Sequence, residues 1–212
     1  PILTNAELAK LKALDSGRLR ARTFSTLFSR AEGAEGMRRR LDALRQECAA
    51  ALDEGVTILI LSDRGVDRDN VPIPSLLATG AVQHHLIRAG TRTRCGLVIE
   101  TGEAREVQHF ALLTAYGAGA VNPYLAFETL ADMQRNELLP ADWPRAKIEK
   151  NFVKAVNKGL LKVASKMGIS TQQSYRGAQI FEAIGLSRAL VDEFFTGTPS
   201  RISGGGLEEI AA

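Results

Sequence analysis

The tightest constraint on this chain is the run Val-Thr-Ile-Leu-Ile-Leu at 56–61, which stops on Ser62, Asp63, Arg64 and Gly65. A short run rich in β-branched and aliphatic residues reads as a strand buried on both faces. Its abrupt end is how such a strand delivers polar groups to the edge of a sheet. A second run, 93–99, ends on Glu100, Thr101, Gly102 and Glu103. A third, 117–121, runs into Asn122 and Pro123. An earlier segment, 22–28, alternates and is rich in β-formers, so it too reads as a strand.

Helical patterns fill the gaps. Thr4 or Asn5 is placed to cap a first helix, and Glu7 completes a capping box if Thr4 is the cap. Residues 35–54 carry Met37, Leu41, Leu44, Cys48 and Leu52 at helical spacing, closed by Gly55. Ser75 is placed to cap a helix that ends at Gly90, and 103–116 reads as another. The order β-α-β-α-β-α predicts an α/β fold with a parallel sheet, Rossmann-like or a partial barrel.

The pattern changes after Asn136. Residues 145–167 read as one long helix with two opposed stripes. Ile148, Phe152, Val156 and Leu160 recur every fourth residue, and Lys150, Lys154, Lys158 and Lys162 do so two positions later. Two residues are about 200° of helical rotation, so one stripe is buried and the other solvated. A helix near 178–184, a helix over 187–195, a Gly/Ser/Thr-rich loop over 196–206 and a terminal helix from Leu207 complete the reading. The expected division is a central α/β domain over 1–140 and a helical extension over 141–212.

Composition excludes several function classes. No apolar run approaches the roughly 20 residues needed to cross a bilayer, and 1–5 have no secretory pattern, so a cytoplasmic setting is expected. The chain has two cysteines, Cys48 and Cys95, and three histidines, with no C-x-x-C. A reducing compartment and no intrinsic metal site follow as expectations. The net charge of +3 is uneven, because 143–180 hold eight Lys or Arg and one acid. The lysine stripe has no interleaved aromatics, and nucleic-acid binding is not expected.

Candidate site residues sit where strands end, because ligands of α/β sheets bind beyond the strand carboxyl ends. Asp63, Arg64, Glu100 and Asn122 would line such a cleft, or simply fix loops and helix starts. Ser170, Tyr175 and Arg176 form a second polar group, suited to an anion or to tethering two parts of the chain. His84 and His85 are adjacent and point about 100° apart on a helix, which argues against chelation.

Several stretches resemble the glutamate synthase family, in the large subunit: 58–66, 73–78, 117–128, 154–162, 165–171, 174–182 and 195–201. The resemblance spans nearly the whole chain and implies a place in the central domain, at its junction with an FMN-binding (β/α) barrel. It implies a parent enzyme that converts glutamine and 2-oxoglutarate into two glutamates through FMN and an iron–sulfur cluster. It also implies amidotransferase and FMN domains as partners, with a small redox subunit or ferredoxin as electron source. The family's N-terminal cysteine nucleophile has no counterpart, since the sequence begins at Pro1, and no grouped cysteines are present. The missing initiator Met points to a processed or excised piece. No catalytic, cofactor or metal residue is therefore expected in this segment, whose role would be architectural. The competing expectation is a free-standing small-molecule enzyme with its site at the strand ends.

Overall fold

The computed structural model describes residues 2–212; Pro1, at which the sequence begins, lies outside them. In chain order the elements are α1 (Asn5–Lys12), β1 (Asp15–Ser16), β2 (Leu19–Ser25), β3 (Leu27–Ser29), α2 (Gly33–Asp53), β4 (Ile58–Ser62), β5 (Asn70–Pro72) and α3 (Ser75–Arg88). Then follow β6 (Gly96–Glu100), α4 (Val107–Ala115), β7 (Ala120–Asn122), α5 (Tyr124–Arg135), α6 (Arg145–Lys166), α7 (Gln172–Tyr175), β8 (Ala183–Leu186), α8 (Arg188–Phe194), β9 (Ser200–Gly205) and α9 (Leu207–Ala211).

The main sheet has the order β1-β2-β4-β6-β7. β2, β4, β6 and β7 are parallel, and β1 adds an antiparallel edge. The parallel strands lie side by side in chain order. No reversal occurs, so there is no switch-point crevice of the doubly wound kind. Consecutive order with a helix after each strand is the arrangement of a segment of a (β/α) barrel.

The two faces of the sheet are packed unequally. Leu59, Leu61, Leu97, Ile99 and Val121 face the helices, against Met37, Leu41 and Leu44 of α2, Leu77 and Val82 of α3, and Phe110 and Leu113 of α4. Ile60 and Val98 point the other way, onto Leu8 of α1, with Leu3, Ala21 and Ile58 around them. α1 begins with the expected capping box of Thr4 and Glu7. The chain ahead of it is pinned to the far edge of the sheet, where Ile2 bridges Val121 and the Leu3 N–H donates to the Val121 carbonyl at 2.9 Å.

The C-terminal elements continue the helix-side core. α6 lays Phe152 edge-on between Phe110 and Phe127, at centroid distances of 6.3 and 5.8 Å. Ile148 and Val156 are buried, while Lys150, Lys154, Lys158 and Lys162 are exposed, as the two stripes require. Phe194 of α8 is fully buried in the same cluster.

Five local expectations need correction. The strand expected over 22–28 is split into β2 and β3, because the Thr26 N–H makes the last bond to β4, at the Ser62 carbonyl, and Leu27–Ser29 then pairs with β5 instead. Pro74, not Ser75, occupies the cap position of α3; the Ser75 N–H and hydroxyl both donate to the Glu103 carboxylate. The helix expected near 178–184 does not form. Gly177, Gln179 and Gly185 all have positive φ, and the segment yields β8 instead. The loop expected over 196–206 contains β9, which pairs in parallel with β8 across α8. Finally, α5 goes unread in the sequence although Ala126, Phe127 and Ala131 mark its buried face.

The docking of α8 on α3 depends on one close approach. A Cβ at Gly80 would meet the Phe194 carbonyl oxygen at 2.5 Å and the Phe195 ring at 3.0 Å. Gly80→Ala should therefore destabilise the chain by about 2 kcal/mol, overpacking outweighing about 1 kcal/mol of gained helix propensity. Urea denaturation reads this directly, and an unchanged or raised midpoint would show that α8 does not seat there.

Candidate functional site

Parallel pairing without slippage builds the polar edge. Register places Ser25 beside Ser62, Ser62 beside Glu100, and Glu100 beside Asn122. Side chains alternate along a strand, so Ser62 and Glu100 share the face of Ile60 and Val98, the face that α1 covers. The last residue of α1, Lys12, reaches this point.

Glu100 is the centre of the group. Its side chain is 1% exposed. One oxygen accepts from Lys12 Nζ at 2.6 Å and from the Ser62 hydroxyl at 2.6 Å; the other accepts from Arg64 Nε at 2.6 Å. Burial alone would raise the carboxyl's pKa. The hydrogen bonds from Lys12, Ser62 and Arg64 outweigh burial and hold it below the usual glutamate value. The Arg64 guanidinium also lies 4.1 Å from the centroid of the Tyr124 ring, at the start of α5.

Asp63 and Asn122 are committed to loop structure. Asp63 accepts from the Thr101 hydroxyl at 2.7 Å and from the Gly102 N–H at 2.9 and 3.1 Å. Burial and the Asp63 carboxylate both push the Tyr124 phenol well above its ordinary value, so it stays protonated. Asn122 is fully buried, and its amide donates to the Leu3 carbonyl and to Asn5 Oδ1, both at 3.0 Å. That ties β7 to the start of α1.

The structure therefore brings Asp63, Arg64, Glu100 and Asn122 together, with Lys12, Ser62, Thr101 and Tyr124 completing the set. Lys12 and Tyr124 carry no sequence signal for this role. Only the pairing of β4, β6 and β7 makes them neighbours. Lys12 and Arg64 balance Glu100 and Asp63 in charge. Both carboxylates are enclosed and already hydrogen-bonded within the protein.

Ser170, Tyr175 and Arg176 do not join this group. The Tyr175 hydroxyl is buried and donates to the Ala111 carbonyl of α4 at 3.2 Å. Ser170 is exposed on the rim of a groove of about 520 Å³ beside α6. Arg176 is half-buried, and its Nε has no partner. These three fasten and edge the loop after α6; they do not converge on one point.

The histidines and cysteines stand in separate local settings. Burial lowers the pKa values of His84 and His85. His109 Nδ1 accepts from the Arg105 and Glu106 N–H groups at the start of α4. Burial raises the thiol pKa of both Cys48 and Cys95, opposing the thiolate an iron–sulfur ligand needs. Among the described residues no group of three or more His, Cys, Asp or Glu is placed to hold a metal ion.

Glu100→Gln should show what the ionic group contributes. It leaves Lys12 and Arg64 facing an uncharged amide, and a loss of about 2 kcal/mol is expected, below the figure for a fully buried pair because both cations are partly exposed. The folded pKa of Glu100 is depressed. Its contribution is thus present above the unfolded value near 4.5 and is lost as pH falls through the folded value. Denaturation midpoints of the two proteins should converge below pH 4.5; a constant difference from pH 7 to pH 3 would refute the assignment.

Comparison with known proteins gives a consistent answer. The glutamate synthase central domain family matches residues 1–187. The NADPH glutamate synthase large chain of Bacillus subtilis is 43% identical over 211 residues, covering 100% of this chain and 13% of that one. The NADH glutamate synthase of Schizosaccharomyces pombe is 43% identical over 213 residues, covering 100% and 10%. A ferredoxin-dependent glutamate synthase of Synechocystis is 40% identical over 225 residues, covering 100% and 14%. The chain thus spans about a tenth to a seventh of the relatives it matches. With a family match across most of its length and full coverage by relatives at 40–43% identity, the chain belongs to the glutamate synthase central domain family.

Proposed function

We propose that this chain is the connecting domain of a glutamate synthase large chain and carries no reaction centre of its own. The parent would convert glutamine, 2-oxoglutarate and reductant into two glutamates. The domain would hold an amidotransferase domain and an FMN-binding domain at fixed separation, supporting passage of ammonia between them without release to bulk water. A cytoplasmic enzyme is the natural setting; among the described residues no helix is long and apolar enough to cross a membrane.

One observation carries the reading. The polar groups at the strand ends, where an α/β protein ordinarily keeps its chemistry, are locked onto one another around Glu100. Lys12 Nζ and Arg64 Nε are bonded to Glu100, and Asp63 is bonded to Thr101 and Gly102, so the carboxylates of this edge are compensated within the protein.

The FMN and iron–sulfur cluster implied for the parent would lie in its other domains. Lys12 and Arg64 are already paired with Glu100, which competes with a flavin phosphate for them, and two cysteines are fewer than the four a cluster takes. The reductant would reach those domains through a small redox subunit or ferredoxin. The relatives are named for NADPH, NADH and ferredoxin, so membership of the family does not choose among them.

Ligand-dependent thermal unfolding tests the proposal. FMN, 2-oxoglutarate and glutamine, each added to the 212-residue chain, should leave the melting temperature unchanged, because only binding to the folded state raises it. No glutamate should form. A rise with 2-oxoglutarate that Arg64→Ala abolishes would overturn the reading in favour of an enzyme working at the strand ends.

A further inference from the structure

The lysine stripe of α6 is exposed and uncompensated. Among the described residues the ion pairs of α6 are those of Arg145, with Glu149 and Glu128, at its first turn. Lys150, Lys154, Lys158 and Lys162 project from the same side with no carboxylate partner. Like charges four apart oppose helix formation by roughly 0.2–0.5 kcal/mol per pair. Mixed signs would keep this face solvated without that penalty.

An apolar feature lies against the stripe. Leu161 is 68% exposed. It is seven residues from Lys154, which puts it only about 20° around the helix from that lysine, and about 60° from Lys158. Leu161 also lines the groove beside α6, whose apolar wall includes Leu160, Ala164, Ile169 and the Tyr175 ring. Hydroxyl and amide groups from α6 and the loop at 170–172 supply its rim. An apolar slot whose exposed leucine adjoins a run of unpaired cations on the same helix is complementary to a protein segment that carries carboxylates around an apolar anchor.

We propose that this face of α6 and its groove are the docking surface for an acidic, apolar-anchored segment of another domain of the same large chain. The proposal rests on the connecting-domain reading above. A second copy fits poorly, because a two-fold contact would set the stripe against itself. Nucleic acid fits poorly as well, since the lysine face has no aromatic side chains on which bases could stack. A domain joined covalently is favoured on physical grounds. The chain is 13% of the length of the Bacillus subtilis relative, and a tethered partner at high effective concentration docks through a small surface that would be too weak between separate molecules.

The test uses the full-length large chain that contains this segment, with lysine acetylation by an amine-reactive ester read by mass spectrometry. Lys154, Lys158 and Lys162 should acetylate about tenfold more slowly in the native chain than in Leu161→Asp, which removes the anchor and repels acids. Leu161 is exposed, so the variant should fold. The protection should also fall as salt is raised, as a charged contact requires, and be independent of protein concentration. Equal acetylation in native and variant chains, in a protein that forms glutamate from glutamine, would overturn the docking surface and leave the connecting-domain reading intact. Protection that grows with protein concentration, or vanishes on nuclease treatment, would also overturn it. A full-length chain that forms no glutamate from glutamine would remove the reading on which both rest.

Discussion

The buried carboxylate of Glu100 governs this fold. Taking a carboxylate out of water costs several kcal/mol unless its lone pairs are filled by good donors. Lys12, Ser62 and Arg64 fill them, and each arrives from a different place: the end of α1, the end of β4 and the loop beyond it. α1 has little else to hold it. Its one buried residue is Leu8. The helix therefore stays on the sheet because Lys12 is fixed at one end while the Ile2–Val121 bridge and the Asn122 amide fix the other.

That dependence couples the faces of the sheet. The strands that present Ser62, Glu100 and Asn122 to α1 present Leu61, Ile99 and Val121 to the helices behind. A one-residue slip of β6 would put Ile99 where Glu100 stands and drive the carboxylate into the apolar core. Register is thus specified twice, by hydrophobic pairing on one face and by ionic pairing on the other. The core then passes unbroken through Phe110 and Phe127 to Phe152 of α6. Displacement of α6 is therefore felt at the sheet.

Much of this was legible in the sequence where the signal is local. Aliphatic runs gave β4 and β6, the fourfold spacing of Ile148, Phe152, Val156 and Leu160 gave α6, and Thr4 with Glu7 gave the start of α1. The candidates Asp63, Arg64, Glu100 and Asn122 were readable because parallel strands end in step. Their partners were not, since nothing near Lys12 or Tyr124 in sequence records that tertiary packing brings them to the same edge. The β8–β9 pair was hidden for the same reason. Each strand is short, their partners are 17 or more residues apart in the chain, and the positive φ of Gly177, Gln179 and Gly185 rules out the helix that the apolar spacing favours.

Placement of charge follows a consistent logic. At the strand ends every ion has a partner, so the sheet edge carries little field. Along α6 the opposite holds, and a run of cations stands in solvent with an exposed leucine beside it. A connecting domain needs both properties. Its interior must be rigid and electrically quiet so that reacting centres on either side keep their spacing, and its exterior must carry the complementary surface on which neighbouring domains settle. Neutral pairs supply rigidity without attraction, whereas unpaired charge supplies long-range attraction without rigidity. Placing the first in the sheet and the second on an outer helix would let one small domain do both under the connecting-domain proposal.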